Sequence, residues 1–243
     1  MFALFLKEIR SFLSSLIGYI VITVFLIVIG LFLWVFPTDF NILDYGYANV
    51  DGLFIIAPFV FLFLVPAVTM RSFSEEQKSG TLELLFTRPL SDMQIIFAKY
   101  LAGLVLIAFS LIPTIIYFIS VWYLGLPQGN IDAGGFWGSF IGLLFLGATF
   151  VSIGVFSSSL SDNQVVAFIL AIILSAFLYL GFEFIYSLEL FGNIDLFIKS
   201  LGISEHYSSM SKGVIDTRDI IYFVSVITVF LFLTKLSLAR RKW

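Results

Sequence analysis

The sequence predicts an all-α integral membrane protein with six transmembrane helices, and three observations predict it. Apolar residues make up 60% of the 243, with 30 Phe among them, well above the roughly 45–50% of soluble domains. Only 12% of residues are charged, and they gather between apolar runs. Those runs approach the length of about 20 residues that a helix needs to cross a hydrocarbon core of about 30 Å. The net charge of −3 says less than its placement. With no Cys and a single His, His206, thiol chemistry and a multi-histidine metal site are excluded.

The six runs extend from about Leu16 to Phe36, Leu53 to Met70, Ala102 to Leu124, Phe136 to Phe156, Val165 to Phe182 and Ile220 to Leu238. They form one membrane domain, residues 1–243, with short connections. Glu183 and Lys235 sit at span ends, where a side chain reaches the headgroups. No small-residue cleavage pattern follows the first run, so that span is expected to persist in the mature chain. Pro58 and Pro66 in the second span and Pro113 in the third each remove a backbone donor and should bend their helices. In the fourth, Gly134, Gly138 and Gly142 recur at i, i+4, i+8, a stripe where another backbone can approach closely. It serves either packing within the chain or a subunit interface.

Orientation follows from Lys and Arg. Lys7 and Arg10 precede the first span, Arg71, Lys78, Arg88 and Lys99 separate the second from the third, and Arg240, Arg241 and Lys242 follow the sixth. Those segments, and both termini, are expected on the cytoplasmic side. The segments after the first and third spans carry Asp39, Asp44, Asp51 and Asp132 without Lys or Arg. Residues 187–219 lie outside by parity despite Lys199, Lys212 and Arg218.

Two amphipathic stretches flank the spans. MFALFLKEIRSFLSS places Phe5, Ile9 and Phe12 on one side and Lys7, Arg10 and Ser14 on the other, the pattern of an interfacial helix. NIDLFIKSLG, residues 193–202, aligns Ile194, Phe197, Ile198 and Leu201, offers an i, i+4 pair between Asp195 and Lys199, and stops at Gly202. Short helices are therefore expected between spans five and six.

The loop of residues 71–94 concentrates charge. Ser74 with Gln77 and Ser91 with Gln94 each match the S/T-x-x-E/Q capping box. Between them Gly80 breaks the chain, Thr81 can cap, and Leu82, Leu85 and Phe86 form an i, i+3, i+4 face before Pro89 ends a short helix. Residue types leave two readings of it: a solvated collar resting on headgroups, or an element made to dock into another protein.

PAVTMRSFSEEQKSGTLELLFTRPLSDMQIIFAKYLAG, Pro66 to Gly103, resembles the first cytoplasmic loop of type-2 ABC exporter permeases. Glu75, Glu76, Gly80, Thr81, Glu83, Leu85 and Pro89 match the family's E-E-x-x-x-G-T-x-E-x-L-x-x-x-P pattern. The run from Lys7 to Ile22 resembles the family's N-terminal helix and first span, although Leu16 stands where Pro is expected. HYSSMSKGVIDTRDIIYF, His206 to Phe223, is similar to the segment leading into the sixth span in the gliding-motility branch.

The resemblance implies a half-transporter of the bacterial inner membrane, embedded in lipid. Its coupling helix, with Glu75, Glu76, Gly80, Thr81, Leu82, Glu83, Leu85, Phe86 and Pro89, would bind a cytoplasmic ATP-binding subunit. A second permease subunit, alike or different, would face it, and a gliding-associated membrane protein is a further partner; nucleic acid is not. The chain contains no G-x-x-x-x-G-K-[ST], so ATP is expected to be hydrolysed by the partner, with no cofactor bound here and no catalytic residue in this chain.

Three other functions compete. A secondary transporter or channel commonly carries ionisable groups inside the bilayer, which these runs lack. A membrane enzyme would draw on Glu183, Glu189, Glu205, His206, Asp216 or Asp219, residues that also suit a solvated outer loop. A non-transporting anchor or remodelling component would use the same coupling loop as an exporter.

Single cysteines replacing Asp44, Gln128 and Ser209 are expected to react with a membrane-impermeant thiol reagent applied to intact cells. Cysteines replacing Ser79 and Lys242 are expected to stay unlabelled; labelling there would reverse the orientation.

Overall fold

A computed structural model describes residues 1–44, 46–87, 89–189 and 192–240. Arg88, Arg241 and Lys242, counted above among the basic flanks, lie outside the described residues, as do the side chains of Phe86 and Asn193. All regular secondary structure among these residues is helical, without strands, and six helices are long and apolar enough to cross a membrane.

Helix α1, Phe2–Ser14, lies beside the bundle and buries Leu4 and Glu8. Ser15 then leaves helical geometry and its hydroxyl accepts from the Gly18 amide at 3.2 Å, capping α2, Leu16–Trp34. The turn is tight enough that a Cβ on Gly18 would stand 2.2 Å from the Phe12 carbonyl oxygen. The second span is α3, Asp51–Thr69, which holds Pro58 and Pro66 in its interior. Met70 keeps helical dihedrals, so the helix carries on into α4, Arg71–Lys78. Gly80, at φ 68°, breaks it and begins α5, Thr81–Phe86. Glycine carries no Cβ penalty at that φ.

The third span starts at α6, Asp92–Leu111, where Ser91 and Gln94 form the reciprocal capping box expected from their spacing. Pro113 falls in a 3₁₀ turn, Ile112–Thr114, before α7, Ile115–Leu124. From Asp92 to Leu124 this span has 33 residues, about 50 Å at 1.5 Å per residue. It therefore projects well past a hydrocarbon core of about 30 Å.

The fourth span, α8, Ala133–Leu160, is the most buried of the six and forms the hub. Glycines let its neighbours close in. A Cβ on Gly147 would meet Ile107 of α6 at 2.7 Å, and one on Gly154 would meet Thr69 of α3 at 1.9 Å. Phe25, Phe61 and Phe150 fill the space around it, Phe25 stacking on Phe61 at 5.1 Å. The fifth span runs through α9, Gln164–Ala176, a π-helical segment, Phe177–Gly181, and α10, Phe182–Ser187.

Beyond it come α11, Asp195–Ser200, and α12, Ile203–Met210, the short helices expected between spans five and six. The last span is α13, Thr217–Arg240. Ile194, Phe197 and Leu201 are exposed, as the apolar face of an interfacial helix should be, and Asp195 is buried. The ion pair made by Lys199 runs to Glu205 at 2.8 Å, not to Asp195. α11 is a single short turn-and-a-half, and the first turn of α12 offers Lys199 a closer carboxylate.

Candidate functional site

α4 and α5 occupy the end of the bundle that holds both ends of the described chain. Ser74, read as a helix cap, sits inside the helix instead, because α4 continues from α3 and leaves no free amides there; its hydroxyl donates to the Met70 carbonyl. Gln77 is correspondingly free to act elsewhere. Thr81 is the first residue of α5, capped by Gly80, and its hydroxyl pairs with that of Ser79 at 2.8 Å.

Glu76 points into the bundle. Its Oε1 lies 3.0 Å from Lys99 Nζ and 3.5 Å from Lys7 Nζ. Lys99, two turns into α6 and with a side chain only 2% exposed, also reaches Glu8 of α1 at 3.2 Å. Lys7 meets the same Glu8 oxygen at 3.5 Å. Two ammonium groups and two carboxylates thus form a closed, electrically neutral set drawn from three helices. The Phe73 ring, fully buried, lies 5.1 Å from Lys99 Nζ and adds its quadrupole. Burial pulls the Lys7 pKa down, but Glu8 and Glu76 outweigh it and hold it above the ordinary lysine value. Lys7 remains 62% exposed, so its own contribution is small; the buried Lys99 is the cation that matters. One Glu76 oxygen, Oε2, is buried without a hydrogen-bond partner.

Gln77, the next residue, faces another way. Its amide donates to the Ser159 carbonyl of α8 at 3.1 Å, and Ser237 of α13 donates to the same oxygen at 3.1 Å. The last carbonyls of a helix lack intrahelical donors, and here two other helices supply them. Adjacent side chains of α4 therefore tie it to α1 and α6 on one side and to α8 and α13 on the other.

This anchoring sorts the residues read from sequence. Leu82 is buried in the chain's own core and Leu85 packs half-buried against it. Both, expected from the resemblance to contact a partner, seat α5 on the bundle. The stripe periodicity identified an apolar face but not which surface covers it. Glu75, Gly80, Thr81, Glu83, Thr87 and Pro89 are exposed, and Leu84, 66% exposed, is the large apolar side chain among them. Sequence reasoning missed Leu84, since it falls off the i, i+3, i+4 stripe. Glu8 was also missed and Lys99 was counted only as a flanking charge. The available signal was a Lys within the apolar period of AKYLAG.

The glycine stripe lies elsewhere. Gly138 and Gly142 face the chain itself: a Cβ on Gly138 would meet the Gly213 backbone at 2.6 Å, and one on Gly142 the Met210 Cβ at 2.9 Å. Gly134 has no such neighbour. Of the acidic residues weighed for an enzyme, Asp219 pairs with His206 Nδ1 at 2.7 Å, while His206 Nε2 lies 2.9 Å from the Ser200 carbonyl and the ring stacks on Tyr222. Both ring nitrogens face oxygen atoms of neighbouring helices. His206 clasps α11, α12 and α13 together. Among the described residues no group of three His, Cys, Asp or Glu is arranged to hold a metal ion.

Five spans packed around a sixth, α8, with a short polar-tipped helix next to an ion-pair brace at one end, define a multi-pass membrane protein. Residues 39–203 match the family model described as ABC-2 family transporter protein, and the chain belongs to that family. No curated protein matches the chain.

The two neighbouring glutamates should respond differently to truncation. Glu76→Ala is expected to cost about 3 kcal/mol by breaking a buried ion pair, and Glu75→Ala to stay within about 0.5 kcal/mol as an exposed change. Reversible unfolding in mixed micelles measures both, and equal losses would contradict the assignment.

Proposed function

We propose that the chain is the permease subunit of an ATP-binding cassette exporter in a bacterial inner membrane, with both termini cytoplasmic. ATP is hydrolysed by a separate ATP-binding subunit that docks on α5, and a second permease subunit completes the transport path. The observation that carries this reading is the exposed tip of α5, with Glu83, Leu84 and Thr87 outward and Leu82 inward, directly following α4, which Glu76 and Gln77 fasten to the bundle. A partner pushing on that tip moves α4 as part of one body with α1 and the start of α6. The second span follows because α3 is continuous with α4. Work done on residues 75–89 thereby reaches the membrane helices and shifts the population of their inward and outward arrangements. The resemblance of His206 to Phe223 to the gliding-motility branch supports an output in a motility system.

Charged groups on the tip set register and specificity, and apolar contact supplies affinity. Burying one Leu side chain is worth about 1.5–3 kcal/mol, so Leu84→Asp is expected to abolish co-purification with the ATP-binding subunit while the chain still folds. Glu83→Ala is expected to assemble but to couple hydrolysis poorly. The purified chain alone is expected to turn over no ATP. Intact assembly by Leu84→Asp, or robust turnover by the chain alone, would overturn this function.

A further inference from the structure

At the opposite end of the bundle, a cavity of about 450 Å³ opens between α3, the π-helical segment of the fifth span and the pair α11–α12. Its size falls within the range of about 300–1,000 Å³ found for small-molecule sites. Phe54 and Phe59 of α3 and Tyr179 and Tyr207 supply aromatic wall. Tyr207 fixes that wall by donating from its hydroxyl to the Phe54 carbonyl at 2.7 Å.

Tyr179 is different. It sits at the middle of the π-helical segment, Phe177–Gly181, a geometry that is rare and frequent at functional sites. Its ring is held edge-on by Phe59 and Phe150, each at 6.1 Å. The residue is only 7% exposed, yet it lines the cavity and its hydroxyl bonds to no described residue. A buried phenol normally finds a partner; this one is presented to whatever fills the space.

The charges lining the cavity are unbalanced. Asp51, Glu183 and Glu205 face one cation, Lys199. Lys199 is committed to Glu205 at 2.8 Å, and that hydrogen bond raises its pKa and keeps it an ammonium. Asp51 and Glu183 have no ion-pair partner among the described residues. No three of these lining groups converge as metal ligands, so the negative charge suits a large, diffuse cation better than a small hard one. Aromatic faces attract such a cation as well.

We propose that this cavity binds an amphipathic organic cation, with its apolar body against the aromatic wall, Asp51 and Glu183 facing its charge, and Tyr179 offering the hydrogen bond. That such a molecule is exported rests on the permease function above; the binding itself does not.

Tetraphenylphosphonium and tetraphenylborate share a shape and differ in charge, which makes them the probes. Equilibrium dialysis of each against the full chain in phosphatidylcholine nanodiscs, corrected for empty discs, is expected to show saturable binding of the cation alone. Asp51→Asn with Glu183→Gln should weaken it by at least about tenfold, since the paired charges carry the selectivity. Tyr179→Phe should weaken binding of cations that can accept a hydrogen bond and leave tetraphenylphosphonium nearly unchanged. Lys199→Gln, which frees Glu205, should tighten binding several-fold, a gain that a misfolded chain does not produce. Equal saturable binding of the two ions, no binding of the cation, or no gain from Lys199→Gln would each overturn the proposal. The measurement needs no ATP-binding subunit, so its failure leaves docking through Leu84 standing, and failed docking leaves this cavity standing.

Discussion

An ammonium group with 2% of its side chain exposed cannot sit in this fold without carboxylates beside it, and Lys99 has two, Glu8 at 3.2 Å and Glu76 at 3.0 Å. A charge taken out of water costs several kcal/mol unless it is paired, and removing one partner of a buried pair exposes that cost. The requirement binds three helices at once. α1 must lie against α6 to deliver Glu8, and α4 must continue from α3 at the angle that delivers Glu76 to Lys99 of α6. The neutral set leaves no uncompensated charge buried against the apolar helices around it.

Fixing α4 in this way gives α5 a rigid base. Gln77 completes the brace by donating to the Ser159 carbonyl, where α8 ends and Ser237 of α13 also donates. α8 in turn touches the rest of the bundle along its length, through glycines that admit Thr69, Ile107 and Met210 as close neighbours. In the function proposed above, a displacement at α5 would pass through packed helices of low compressibility. At the opposite end the chain is less regular, with a π-helical segment, two short helices and the His206–Asp219 clasp. That irregularity surrounds the cavity beside Tyr179.

Much of this architecture was legible in the residues. Uncharged apolar runs identified the six spans because a bilayer demands them. The Ser91 box and the Gly80 break were readable because each is settled by backbone geometry over four residues. Ser74 carried the same box and failed, since a cap needs free amides and α3 had already supplied the preceding turn. The apolar stripe of Leu82 and Leu85 was visible, but a stripe does not say whether its own bundle or a partner covers it, and the bundle was nearer. Glu8, Glu76 and Lys99 stand far apart in sequence, so nothing local marks them as neighbours. Lys199 was assigned to Asp195 by helix spacing, and the fold brought Glu205 closer. The π-helical turn at Tyr179 likewise leaves no periodic trace in an apolar run.

The most direct test of the brace is hydrogen exchange on the full chain in nanodiscs, comparing the natural protein with Lys99→Met. If Lys99 holds the three helices together, amides of α1 and α4 should lose protection in concert, while α12, held by Tyr207 and His206 at the opposite end, keeps its own. Faster exchange confined to the turn around residue 99, with α1 and α4 unchanged, would contradict the account.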